Sequence, residues 1–432
     1  MKSKLYTFVA ILATTLAGVF PVLAQKAGPV TDTIYMGAGY NNEVYYSLST
    51  NYRAAVDHKQ WDIAFRTSRM SASILTNDAA NNNPIGLLGV ELYTYPKSDT
   101  SGWATVDTSG LSHWKNMVNS TTDWEEGAFC RNQKGHPDYG WGKYNAASHN
   151  VVGDSLFIIR LRDGSYRKLW IKIKYSAQNI YEFRYANLDG SKPSIITLDC
   201  APYESKNFVG FSMITNQAVD FEPVASPAWD LLFARYMYTF PDKSLYLVAG
   251  VLSNYKVKVD VHKKVAPNYR LWNVATMDST RSPIGWDWKT FNGSTYVVED
   301  SLVYFVQDLN KNIHRLVFLD FAGSSTGRII LQKELISAKG VEDFDKSGFN
   351  IAVYPNPVRD VLNLIMNPGN SKVALVELFD ISGKTLFRQQ YNLQVETLST
   401  LRIPVSGIKA GTYVLRVNAG VNVISRKVII QN

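Results

Sequence analysis

Cysteine is nearly missing from this chain, with two in 432 residues, Cys130 and Cys200. That excludes a disulfide-dense scaffold, and without any C-x-x-C pair it also excludes a thiolate metal knuckle or a dithiol redox centre. The two thiols can form one disulfide in an oxidising compartment or stand as separate buried groups. Charge is scarce too, at 19% of residues, and the formal +8 forms no basic stripe. Lys2 and Lys4 account for +2, and residues 349–432 hold nine Lys or Arg against four Asp or Glu, which leaves 25–348 near +1. A nearly neutral body argues against a nucleic-acid partner. Beyond residue 24 no run reaches the ~18 apolar residues of a membrane span. Catalytic signatures are missing as well: no G-x-S-x-G elbow, no H-E-x-x-H and no phosphate-cradling glycine loop. The expectation is a protein that is not an enzyme and has no transmembrane segment in its mature form.

What is present is aromatic and apolar: 46% hydrophobic residues, with 25 Tyr, 19 Phe and 10 Trp, a composition suited to pleated sheets. The chain opens with Lys2 and Lys4, an apolar run to about Phe20 and small residues up to Ala24, the three-part build of a signal peptide over residues 1–24. In "FIIRLRDGSYRKLWIKIKY" a tight turn at Asp163-Gly164 separates two runs, and Leu169, Ile171, Ile173 and Tyr175 alternate with polar neighbours. "WDIAF" at Trp61 returns as "WDLLF" at Trp229, 168 positions on. "GWGKYNAASHNVVGDSL" from Gly140 is echoed by "GWDWKTFNGSTYVVEDSL" from Gly285, with Thr295 aligned to His149. The spacing predicts an internal duplication, copy one over 25–200 and copy two over 201–340, both antiparallel β domains. Trp61, Ile63 and Phe65 are expected on one strand face, with Asp62 and Asp230 in structural roles. A polar linker at 341–348 precedes 349–432, whose short strands and Pro, Asn and Gly turns predict a small β-sandwich. The fold class is mainly β throughout.

The last module resembles the type A sorting domain of the type IX secretion system. The residues that carry the likeness are Tyr354, Pro355, Asn356 and Pro357, then Leu362 and Leu364, Phe379-Asp380, Gly383 and Lys384, Gly411-Thr412-Tyr413 and Lys427. The resemblance implies export through that machinery, removal of the module, and a secreted or surface protein, with surface lipopolysaccharide as an attachment partner. The body resembles the HmuY family of secreted haem-binding proteins, through "WDIAFRTSRMSASILTN", "GWGKYNAASHNV" and "FIIRLRDGSYRKLWIKIKY". That likeness implies haem or another tetrapyrrole held by two axial side chains, with His149 and a partner among His113, Met117 and His136 as the candidates. The alternative from another class is a surface or matrix interaction module without a cofactor.

Overall fold

The computed structural model describes residues 28–80, 89–225, 228–337, 350–367, 371–394, 399–420 and 422–431. The signal peptide and the linker at 341–348 lie outside them. The fold is mainly β, with antiparallel ladders and only short 3-10 turns as helix among the described residues.

The strand pairing crosses the boundary expected after residue 200, which does not hold. Strands Phe208–Ser212 and Gln217–Val219, placed in copy two by sequence, complete the first unit: the former pairs with Ile63–Arg66 and the latter with Phe208–Ser212. The matching strands of the second unit come from the chain's beginning: Asn42–Tyr46 pairs with Leu231–Thr239, and Arg53–Asp57 pairs with Asn42–Tyr46. Val30–Tyr35 likewise lies against Arg328–Ser337. The first unit is therefore continuous, and the second is closed by the N-terminal strands. Each unit has its own core, one around Phe65, Trp141, Phe157 and Phe183, the other around Tyr46, Phe233, Trp288 and Phe318.

Equivalent hydrogen bonds explain why the Trp-Asp pair occurs twice. The Asp62 carboxylate accepts from Met213 N–H at 2.8 Å, just beyond the neighbouring strand, and Asp230 accepts from Leu48 N–H at 2.8 Å in the same place. Asn77 and Asn254 each donate from Nδ2 at 2.8 Å, to the carbonyl of Trp61 and of Trp229. Each aspartate thus ties its strand to the chain end beside it, a structural role. Trp61 departs from the expected face: Ile63 and Phe65 enter the first core, while Trp61 joins Trp229 between the units. It precedes the strand, which starts at Ile63, so strand alternation does not fix its direction.

The structural alignment also corrects the second copy. Trp141 corresponds to Trp288, because Asp154 N–H and Glu299 N–H bond to their respective carbonyls. The hairpin carrying His149 joins Asn145 to Asn150, whereas its counterpart joins Asn292 to Thr295 and is two residues shorter. Thr295 therefore stands opposite Asn292 as Asn150 does opposite Asn145, and no residue takes the place of His149. The Asp-Gly turn survives with different residues: Lys311, φ +67°, occupies the left-handed position of Gly164, φ +84°.

The C-terminal module packs a sheet of Asn350–Tyr354, Val361–Asn367 and Ser399–Pro404 against one of Thr385–Asn392, Val373–Asp380, Gly411–Ala419 and Asn422–Ile430. Its core, which includes Leu362, Leu364, Leu378 and Leu415, is separate from the other two.

Candidate functional site

The expected haem ligands divide into two groups. Met117 is buried in the first core, and His113 sits exposed on the 3-10 turn Leu111–His113. His136 and His149 come together around Tyr144: the Tyr144 ring centre lies 5.2 Å from that of His136 and 6.1 Å from that of His149. The Tyr144 hydroxyl is 2.6 Å from His149 Nδ1. Both histidines are exposed, so this is a surface cluster in which Tyr144 occupies the middle.

Cys130 and Cys200 are both free and buried, the second of the two arrangements open to them from the sequence. Cys130 Sγ faces the Ala72 carbonyl at 3.7 Å, and burial pushes both thiols up to about 12, so neither is a nucleophile. Ser49, Asp308 and His314 converge in the second unit without forming a relay. The Asp308 carboxylate accepts from Ser49 Oγ at 2.5 Å and meets His314 Nε2 at 3.0 Å, and the same Nε2 faces Ser49. A triad needs the acid on the nitrogen opposite the hydroxyl.

Between the units lies a cavity that sequence reading missed. Sheets led by Ile63–Arg66 and Leu231–Thr239 face each other across Trp61, Trp124, Phe221, Trp229 and Tyr236. They enclose about 50 Å³ that Glu43, Asp78, Glu222 and Arg281 also line. Burial pushes Glu43 and Glu222 up to about 7 and Asp78 up to about 6, and holds Arg281 below its ordinary value. Each carboxylate keeps protein donors: Tyr45 for Glu43, Asn119 for Asp78, and Asn207 with Phe208 N–H for Glu222. Arg281 lies over the Trp124 ring at 4.1 Å and donates to the Ser120 carbonyl at 2.7 Å. Composition and spacing carry no trace of this site, because its groups come from six or more distant segments.

The duplication supplies an internal comparison. In the first unit the Trp-Asp hairpin is short, Ile63–Arg66 with Ile74–Thr76, whereas in the second it runs Leu231–Thr239 with Leu245–Ser253. The added length carries Tyr238 opposite Tyr246, then Phe240 at the turn. Trp286 packs edge-on to Tyr238 at 5.6 Å and to Phe240 at 6.0 Å, and Tyr246 is 61% exposed. Counted from the Trp-Asp pairs, Tyr238 falls where the first unit has the solvent-exposed Met70.

In the terminal module, Asn356 donates to the Lys427 carbonyl at 2.8 Å and accepts from Ile429 N–H at 2.7 Å, joining the Tyr354–Pro357 stretch to the last strand. Asp380 receives the N–H groups of Ser382 and Lys384 around Gly383, φ +87°. Tyr413 donates to the Lys409 carbonyl at 2.5 Å. These motif residues are thus turn and closure elements of one sandwich.

Residues 352–431 match the family of secretion system C-terminal sorting domains. Proteins with this tail are secreted or attached to the outer cell surface, and this protein is placed there with them, in contact with the type IX machinery. No curated protein matches the chain. Among solved structures it is similar to dimeric latent PorU from Porphyromonas gingivalis, at 9% identity and TM-score 0.19, over 93% of this chain and 34% of that one. It is also similar to PorZ, a surface component of the type IX secretion system of the same organism, at 11% identity and TM-score 0.16, over 67% of this chain and 44% of that one. This chain thus spans about a third of the first and under half of the second. Neither likeness carries weight for fold or function.

Proposed function

We propose that the protein is a non-catalytic binding module of the cell exterior, delivered by its sorting tail, with the second unit's long hairpin as the contact surface. One observation carries this reading: where the two units share a plan they share buried bonds, and the extra length of one hairpin presents Tyr238, Phe240, Tyr246 and Trp286 in a half-exposed cluster. Exposed aromatic clusters mark interaction sites, since rings give large contact area at low entropy cost. Adding the exported protein back to washed cells and extracellular matrix tests it. The triple variant Tyr238→Ser, Tyr246→Ser, Trp286→Ala is expected to lose retention, and equal retention would sink the reading. Mass spectrometry of the culture is expected to find a mature start near Gln25 and an end between Val341 and Ser347.

A second reading, capture of haem or another tetrapyrrole, is favoured by the exposed His136 and His149 around Tyr144. On this reading Tyr144 swings aside as the ligand enters. Haemin titration is expected to give a saturable, shifted Soret band that weakens in His149→Ala. An unshifted band at tens of micromolar leaves the first reading alone.

A further inference from the structure

Five buried polar side chains around the inter-unit cavity have, among the described residues, no hydrogen-bond partner for one of their atoms: Trp61 Nε1, Trp229 Nε1, Thr76 Oγ1, Tyr236 Oη and Arg281 Nε. All are at least nine-tenths buried, and leaving such groups unmet is costly. Three of the five atoms are pure donors and the other two are hydroxyls that can donate, so the occupant must supply acceptor oxygens. The same lining holds Glu43, Asp78 and Glu222, and three acidic groups disfavour an anion. A cation meets indole and guanidinium donors pointing the same way as its own charge, and among the described residues no three His, Cys, Asp or Glu side chains stand close enough to share a metal. A neutral hydroxyl group suits both sets of groups, because it accepts from the indoles and guanidinium and donates to the carboxyl oxygens.

The remaining lining is aromatic. Trp61 is stacked on Phe221 with ring centres 4.9 Å apart, and Trp229 meets Tyr45 edge-on at 5.0 Å. The volume of about 50 Å³ holds roughly two water-sized groups, which is room for one or two terminal hydroxyls. Tyr236 stands in the cavity wall, and Tyr238 and Phe240 follow it on the same face of Leu231–Thr239, leading to the exposed cluster with Trp286.

We propose that the cavity and the aromatic face beyond it bind a neutral carbohydrate chain, its terminal hydroxyls between the units and its following rings on Tyr238, Tyr246 and Trp286. The assignment rests on the binding-module reading and names its ligand class.

The test is a tryptophan-fluorescence titration of the mature exported chain with glycerol and with neutral trisaccharides of glucose, mannose and galactose. The expected result is a saturable change with at least one trisaccharide. Tyr236→Phe removes a hydroxyl that has no partner among the described residues, so it is expected to fold with an undiminished thermal midpoint yet bind about tenfold more weakly. No saturable response to any probe, or equal affinity in Tyr236→Phe, overturns the proposal. A chain retained on cells through the aromatic cluster but silent to every sugar overturns the carbohydrate assignment alone and leaves the binding module standing.

Discussion

Asp62 shows how much one residue decides in this protein. Its carboxylate, fully buried, bonds Arg162 Nε at 2.7 Å as well as Met213 N–H. Asp62→Ala leaves a guanidinium and an amide without their acceptor, and is expected to cost about 3 kcal/mol in chemical denaturation; a loss below 1 kcal/mol would refute the anchoring role. The buried ionisable groups predict an unusual pH profile. Glu43, Glu222 and Asp78, raised by burial to about 7, 7 and 6, keep protons in the folded chain that the unfolded chain has released. Their contribution is complete below the ordinary carboxyl range near 4 and is lost as pH rises to about 7. His58, lowered by burial to about 4, works against them from there to its ordinary 6.5, one imidazole against three carboxyls. Buried Lys289, Lys174 and Lys333, lowered to about 7, 8 and 8, reverse the slope, since the unfolded chain then binds more protons and stability recovers as pH rises towards 10. Thermal midpoints are therefore expected to pass through a minimum near pH 7. Glu43→Gln with Glu222→Gln flattens the acid limb and Lys289→Met flattens the alkaline one, and a midpoint that peaks at pH 7 would contradict the scheme. None of these burials was legible in the sequence, where the same residue types usually lie at the surface.

Hairpins are the elements in which local sequence spoke most clearly. The alternation up to Ile171 and the Asp163-Gly164 turn gave the Phe157–Arg160 and Tyr166–Tyr175 hairpin, because a period of two and a left-handed turn residue are short-range requirements, whereas a bulge between Ile171 and Ile173 reverses the rest, burying Lys174 and leaving Ile173 and Tyr175 half-buried. Its counterpart was hidden because Lys311 takes the left-handed position, which a side chain occupies at a cost of about 1 kcal/mol. Lys311→Gly is accordingly expected to stabilise the second unit by roughly 0.5 kcal/mol after the entropy cost of glycine, and Gly164→Lys to destabilise the first by about 1 kcal/mol. Denaturant midpoints that move the other way would show that the two turns differ in conformation. The shorter counterpart of the His149 loop follows the same logic in reverse: a two-residue deletion is silent in composition but removes the histidine's position from the second hairpin.

For the molecule as a whole, closure by the N-terminal strands has a direct consequence. Ile34, Tyr46 and Leu48 belong to the second unit's core, so a chain starting at residue 58 is expected to lose that unit's cooperative transition and to regain it when peptide 28–57 is added. A truncated chain with an unchanged melting curve would disprove the closure. The sequence by itself determined what depends on neighbours along the chain: a mainly β protein, the fact of a duplication, the terminal sandwich and its sorting motif, and through that motif a place outside the cell. Tertiary structure alone decided which strands complete which unit, that the two cysteines stay apart, that Trp61 faces its own repeat, and that carboxylates from distant segments share one cavity. The physical reason is range. Strand period, turn chemistry and export motifs act over a few residues, whereas closure and burial depend on segments up to 300 positions apart, such as Val30 and Lys333, whose meeting is set by the packing of the complete chain.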